Sequence, residues 1–497
     1  MQLRRAWNYS YPPLHRRFIH FSHFPGNVTR ACGILSPAMN AHHPSGKIFL
    51  RQLALALFLA AIFLPASFVL GQEKAPHLLL MISIDGLRPD YITAADAHGA
   101  KVPNLRRFLK DGSYAEGVVG VVPTVTYPSH TTLITGVWPA KHGILANTTF
   151  DPLQKNFQGW YWYADDIRVP TLWDAATQAG RTTATIQWPV TVGARVTWNI
   201  PEFWRANTPD DAKLLRAVST PGLLAEAQPE LGEYRGGIDN VPESDEVRGR
   251  YAQWLLEKKH PALLLLHLAS LDHIEHETGP FSSDSMATLE RLDAVIGNLR
   301  ETAERLAPGR TIVAIVSDHG FVKTDAQLNL FPSFRDARLF TADEKGKISD
   351  WKAIPWPTGG SAAIVLKDPS DSATLAQVNE LLAKLARDPS NGIDRVLEAD
   401  ELHKLGGYPT AQFFVGLKPG WKTGSSLDGP VLSKVKPGGT HGGLPDLPEL
   451  RASFFLVGPG VPAGRSLGLI DMRDVAPTLA HVAGLSLPTA DGKNLLP

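Results

Sequence analysis

Along the chain, short continuous apolar runs alternate with segments whose apolar residues recur every three or four positions. His77–Ile84 (HLLLMISI) is apolar at nearly every position and stops at Asp85-Gly86, which predicts a buried strand. Ala262–Ala269 (ALLLLHLA), Thr311–Val316 (TIVAIV) and Ser453–Val457 predict three more, and the run TTATIQW after Gly180 predicts another. Between them, Pro103–Lys110 reads as a short helix closed by Asp111-Gly112, and Thr171–Ala179 as a helix stopped by Gly180. Ser285–Leu306 is a long amphipathic helix with Leu289, Leu292, Val295, Ile296 and Leu299 on one face, and Asp471–Ala483 is the last helix. Strands that are apolar throughout need cover on both faces. Their alternation with helices therefore predicts an α/β fold with a central, mainly parallel sheet.

Residues 330–437 have a different texture. They hold short strands (SAAIVL, AQFFVGL), a helix at Leu375–Leu385 and many turns, and read as a cap subdomain inserted into a catalytic domain of residues 72–497. No internal repeat is evident.

The polar residues that interrupt the pattern sit just past strand ends: Asp85, Asp272, Asp318 and His319. In open α/β sheets that edge is where ligands bind. Burying carboxylates there costs several kcal/mol unless they are paired or coordinated. No Lys or Arg stands in the same turn as Asp85, Asp272 or Asp318, so a metal is the economical partner. Asp272 and His276 are one helical turn apart, and His441 lies in GGTHGG, where glycines permit close backbone approach. In Pro123–Asn147, Thr126 precedes Pro128 and a helix-like run from Ser129. A hydroxyl before a helix N-terminus is a candidate nucleophile, since the free N–H groups favour an anion there. Each residue alone has a plainer reading: a cap for the aspartates and Thr126, a turn for DHG, a loop histidine for His441. Their gathering at one edge favours a site.

Composition narrows the function. Lys+Arg and Asp+Glu both number 49, which argues against a nucleic-acid partner. The balance is uneven, however: residues 1–71 hold seven basic residues and no acidic one, leaving 42 basic against 49 acidic in the rest, a net charge of −7. Lys47 and Arg51 precede the apolar run 53–70, and Val69-Leu70-Gly71 offers a cleavage site, as in a secretory signal. Met39 opens a better-proportioned signal than Met1 does, and is the expected start. An uncleaved run would be near the ~17–25 residues that span a bilayer, and would anchor the protein to the membrane. Periplasmic or extracellular export is the expectation. Cys32, the sole cysteine, leaves with the leader, so cysteine-based metal sites are excluded.

Five segments, in order, carry a family resemblance: SIDGLRPDY, TVTYPSHTTLITGVWPAKHGI, DHIEHETGP, SDHG and THGG. From about Leu78 to Leu496 the chain resembles the alkaline phosphatase superfamily, in its nucleotide pyrophosphatase/phosphodiesterase branch. The resemblance implies a three-layer alkaline-phosphatase-like fold and two zinc ions. Asp85, Thr126, Asp318 and His319 match the ligands of one ion; Asp272, His276 and His441 match those of the other. Thr126 matches the nucleophile, which forms a phosphothreonine. Asn147 matches the asparagine that holds a non-bridging oxygen, and Tyr127 an aromatic flanking the substrate. The implied activity is hydrolysis of small phosphate diesters or nucleotides by a monomer or homodimer.

There are departures from the pattern. Ser129 stands where many of these phosphodiesterases have Asn. With Thr126 as nucleophile and His130 four residues on, sulfatase chemistry is disfavoured. The stretch QWPVTVGARVTWN after Ile186 offers only Arg195 and no Lys-x-Arg pair for the extra charge of a monoester. A Thr-dependent phosphomonoesterase or phosphonoacetate-type hydrolase is the alternative. An inactive ligand-binding relative is disfavoured, because it need not retain all these residues.

Overall fold

In the computed structural model, every residue of the strand Leu78–Ile84 is buried. The structure describes residues 77–156, 159–205, 210–237, 240–344 and 346–497. The expected leader, with Met39 and the run 53–70, lies outside them. The described residues belong to one compact unit, Lys74–Pro497.

The central sheet has eight strands: Leu78–Ile84 (β1), Ser113–Tyr114 (β2), Thr183–Ile186 (β3), Trp198–Ile200 (β4), Leu263–Leu268 (β5), Thr311–Val316 (β6), Phe454–Val457 (β7) and Arg465–Ser466 (β8). Their spatial order is β8-β2-β7-β6-β1-β5-β3-β4. β1 runs parallel to β5 and β6, with Leu80 opposite Leu264 on one side and Val313 on the other. β3 is parallel to β5 and β4, whereas β7 is antiparallel to β6. The helices that position the site are Thr126–Thr135 (α1), Pro242–Lys259 (α2), Ser270–Thr278 (α3), Ser283–Leu306 (α4) and Val475–Val482 (α5).

The pleat of β1 sorts its side chains between two layers. Leu80, Ile82 and Ile84 cluster with Tyr251 and Leu255 of α2 and with Leu292, Ile296 and Leu299 of α4. Leu79 and Met81 cluster with Leu133 and Ile134 of α1 and Val475 and Leu479 of α5. This is the three-layer arrangement expected. Each such buried side chain contributes roughly 1.5–3 kcal/mol relative to exposure.

Two boundaries differ from the sequence reading. α1 starts at Thr126, not after Pro128. Proline is tolerated there because first-turn N–H groups have no intrahelical acceptor. The last helix is split into a 3₁₀ turn at Met472–Asp474 and α5.

Residues beyond 330 build a second sheet, antiparallel, in the order Ala353–Pro357, Ser361–Leu366, Ala411–Leu417, Ile393–Glu398. One face packs Ile364 and Val415 with Val378 and Leu382 of the helix Ser372–Arg387. The other face packs Trp356, Ala363 and Phe414 with Val122 and Ala146, which bracket the Thr126 segment. Val322–Leu328 leads out to this region, and Leu432–Thr440 returns antiparallel beside it, with Thr440 opposite Val322. The returning strand runs across residue 437.

Candidate active site

Because β1, β5 and β6 are parallel, their C-terminal ends open on one edge. Asp85 follows β1, α3 follows β5, and Asp318-His319 follows β6. Asp85 and Asp318 are almost wholly buried, and His319 is wholly so. Asp85 Oδ1 lies 3.3 Å from His319 Nε2, and Asp318 Oδ2 lies 3.0 Å from the same nitrogen. The Gly86 N–H donates to Asp318 Oδ1 at 3.2 Å.

α3 carries the next two residues. Its first turn is held by buried Asp245, which accepts from the Ala269 and Ser270 N–H groups at 3.1 and 2.8 Å. Arg248 pairs with Asp245 at 2.9 Å, so the capping carboxylate is itself neutralised. Asp272 Oδ1 then lies 3.5 Å from His276 Nε2 and 3.4 Å from His441 Nε2. The register of the Val322–Leu328/Leu432–Thr440 pair delivers His441 here, across more than a hundred residues. The His441 ring stacks on His319 at 3.6 Å between centroids.

The glycines around His441 are required by close packing. A Cβ on Gly439 would come 2.6 Å from Glu275 O. Gly442 has φ +82°, and a Cβ there would sit 1.6 Å from Thr358 O. This turn is stitched to the Thr126 segment: His441 Nδ1 lies 3.1 Å from Thr124 O, and the Gly442 N–H donates to the same carbonyl at 2.9 Å.

Thr126 is the first residue of α1 and is 8% exposed. Its carbonyl is bound by His130 Nδ1 at 2.8 Å, and His130 Nε2 contacts Ser83 Oγ at 2.8 Å. Asn147 Oδ1 accepts from the Tyr127 N–H at 2.9 Å, which leaves its NH₂ group as the donor. The Tyr127 ring lies in the interior, fully buried against Trp160 and Trp162, with its hydroxyl donating to Glu202 at 3.3 Å. Trp160 and Trp204, partly buried, lie nearer the surface of that aromatic cluster. Arg195 is exposed. Among the described residues no Lys or Arg pairs with Asp85, Asp272 or Asp318.

Burial pushes Asp85 well above the usual carboxylate range, and repulsion from Asp318 and Asp272 adds to it. Burial also opposes charge on Asp318, but His319 and His130 hold that carboxyl low. Burial favours a neutral His319, yet Asp318, Asp85 and Asp272 lift it to about 9. His441 is driven well down by burial and by the neighbouring His319 and His276. The carboxylates of the cluster thus favour cationic partners, and a divalent ion would be one.

The donor atoms fit a metal. Asp85 Oδ1, Asp272 Oδ1, Asp318 Oδ2 and His319 Nε2 are buried without a hydrogen-bond partner. Such orphaned atoms are costly unless something else binds them. Two groups have ligand atoms within 4.8 Å of one another, Asp272–His276–His441 and Asp85–Asp272–His319, so Asp272 stands between them.

A profile of the family described as type I phosphodiesterase / nucleotide pyrophosphatase matches residues 79–444. The chain belongs to this family. Membership places it in the alkaline phosphatase superfamily and supports hydrolysis of phosphodiester or pyrophosphate bonds by a metal-dependent enzyme. An uncharacterised pyrophosphatase/phosphodiesterase of Schizosaccharomyces pombe is 25% identical over 90% of this chain and 85% of its own. The human bis(5'-adenosyl)-triphosphatase ENPP4 is 23% identical over 84% of this chain and 80% of its own. The fold matches murine ectonucleotide pyrophosphatase/phosphodiesterase 5, solved as an inactive variant in complex with AMP. That match has a TM-score of 0.59 at 18% identity and covers 84% of this chain and 97% of that one.

The structure brings Asp85, Asp272, His276, Asp318, His319 and His441 together; the His441 turn binds Thr124, two residues before Thr126, and Asn147 binds the Tyr127 N–H next to it. Sequence reading missed His267, Glu202, His130 and the Asp245–Arg248 pair. His267 Nε2 lies 3.0 Å from Asp85 Oδ2. Burial opposes its charge, but Asp85 and Glu202 lift its pKa to about 10. The one signal for it was a lone polar residue inside an otherwise apolar strand.

Proposed function

We propose that the protein is an exported, zinc-dependent phosphodiesterase or nucleotide pyrophosphatase with Thr126 as nucleophile. The observation that carries the reading is the set of four buried, unpartnered donor atoms on Asp85, Asp272, Asp318 and His319, beside two candidate ligand groups that share Asp272. Asp85, Thr126, Asp318 and His319 would hold one ion, and Asp272, His276 and His441 the other. When bound, the two ions supply Lewis-acid stabilisation of the attacking and leaving oxygens.

The chain does the rest. The Thr126 N–H at the start of α1 and the Asn147 amide present N–H donors to the non-bridging oxygen, where negative charge grows during reaction, the Tyr127 N–H being taken by Asn147 and Pro128 having none. Thr126 Oγ loses its proton to solvent and bonds to phosphorus in line, inverting it, as the bond to the leaving oxygen breaks and that oxygen takes up a proton from solvent. Water then cleaves the Thr126–phosphorus bond, with a second inversion. Tyr127, through its backbone, orients Asn147. The residues 330–437 act as a cap over the Val122–Ala146 segment. Among the described residues no Lys or Arg pairs with the carboxylate cluster, which favours a diester, with its single charge, over a monoester.

Rates on bis-p-nitrophenyl phosphate, the p-nitrophenyl ester of a nucleoside monophosphate, p-nitrophenyl phosphate and phosphonoacetate test the reading. The first two should be fastest, and only with zinc present. Faster turnover of the monoester or the phosphonate would overturn the substrate class. Full activity in a strong chelator would overturn the metal.

A further inference from the structure

Glu202 lies two residues past β4, at the same sheet edge as the donor cluster, and is 6% exposed. Its two oxygens serve different partners. Oε1 accepts from the Tyr127 hydroxyl at 3.3 Å, and Oε2 lies 3.2 Å from His267 Nδ1. His267 Nδ1 is also 3.0 Å from Gln187 O, and its Nε2 is 3.0 Å from Asp85 Oδ2. Every partner of this ring is an acceptor, so both nitrogens donate and the ring cannot turn without losing a bond.

We infer that Glu202 and His267 are a positioning pair that orients the Asp85 carboxylate and ties it to the turn carrying Thr126. The inference rests on the reading of Asp85 and Thr126 given under the proposed function. Of the two Asp85 oxygens, Oδ2 is held by His267, while Oδ1 has no hydrogen bond. One oxygen is anchored and the other is presented. From Glu202 the second arm runs through Tyr127, whose N–H binds Asn147 and whose neighbour is Thr126. His130 closes the loop: it packs edge-on against His267 at 4.5 Å and binds the Thr126 carbonyl. A single buried carboxylate therefore touches both the ligand side and the nucleophile side of the site. Partners that orient a ligand in this way affect metal affinity without touching the metal.

The test uses the metal-stripped full-length protein. Zinc affinity is measured by chelator competition, thermal stability by melting, and kcat and KM on bis-p-nitrophenyl phosphate. Glu202→Ala and His267→Gln should each weaken zinc binding by ~10–100-fold and lower kcat with KM little changed. Glu202→Gln keeps an acceptor oxygen and should recover part of both losses. Thr185→Val breaks a neighbouring buried hydrogen bond, to Asn199 at 2.7 Å, and should leave zinc affinity as in the wild type.

Wild-type zinc affinity in folded Glu202→Ala and His267→Gln proteins overturns the inference, even if their melting temperatures fall. So does an equal zinc loss in Thr185→Val. If Glu202→Ala does not fold, the two glutamine variants decide on the same measurement. A wild-type protein that binds no zinc would overturn the metal reading itself, which is a different result from variants that bind as well as wild type.

Discussion

The two groups of donors at the sheet edge are held by different means. Asp85, Asp318 and His319 follow β1 and β6 directly and are buried. Their spacing is set by the register of two parallel strands inside the core. Asp272 and His276 ride on a helix with side chains 19% and 42% exposed, and His441 follows the strand Leu432–Thr440, which pairs with Val322–Leu328. The inner group is thus placed by the central sheet itself. The outer group depends on the Asp245 cap of α3 and on the packing of Gly439 and Gly442.

The largest expected effect separates the chemistry from both groups. Thr126→Ala removes the proposed nucleophile but only one of the donors, and an oxygen rather than a charge. Turnover should fall by about 10⁴-fold or more, while metal analysis still finds zinc. Comparable turnover in the variant would end the nucleophile assignment.

Asn147→Ala probes the side-chain amide proposed to meet the non-bridging oxygen. It should lower kcat by about 10²–10³-fold if the amide meets charge that grows in the transition state. Steady-state kinetics would show this as a loss in kcat rather than a rise in KM. An unchanged kcat would mean that the inner group and the α1 N-terminus suffice.

Much of this comparison was legible in the sequence, and unevenly so. The inner group could be read because Leu78–Ile84 and Thr311–Val316 are almost wholly apolar runs with an acidic residue just past the end of each. The outer group was harder. Asp272 and His276 are one turn apart and could be paired, but nothing local places His441 beside them. The strand that delivers it, Leu432–Thr440, contains Pro437, Gly438 and Gly439, which read as a turn; a register shift between Lys434 and Gly438 accommodates them. The roles of Glu202 and His267 escaped the sequence for another reason, although His267 stood out as a polar residue in an apolar strand. Their meaning lies in contacts between β4, β5 and α1, and strand order is not written in the pattern of any one strand.

The inner and outer groups should also part under chelation. Outer donors that face solvent lose their ion first, so zinc should leave in two phases, followed by rapid-mixing metal analysis. His276→Ala should abolish the fast phase and lower outer-site affinity by at least the ~10–100-fold that even an indirect change costs. A single phase in the wild type would mean that the two groups act as one.

The smallest effect carries a sign that tests why the inner group exists. Burial and the neighbouring Asp318 and Asp272 push Asp85 well above its ordinary range, so its charge at neutral pH works against the metal-free fold. Asp85→Asn removes that charge, while its amide oxygen can still accept from His267. The metal-free protein should therefore gain about 1 kcal/mol, as is common when a strained functional residue is relieved, and melt about 2 °C higher or less. With zinc present the order should reverse, because the variant has lost a ligand and the wild type gains from binding. Melting curves with and without zinc measure both signs. A variant less stable than wild type in both conditions would show that Asp85 is held for the fold and not for an ion.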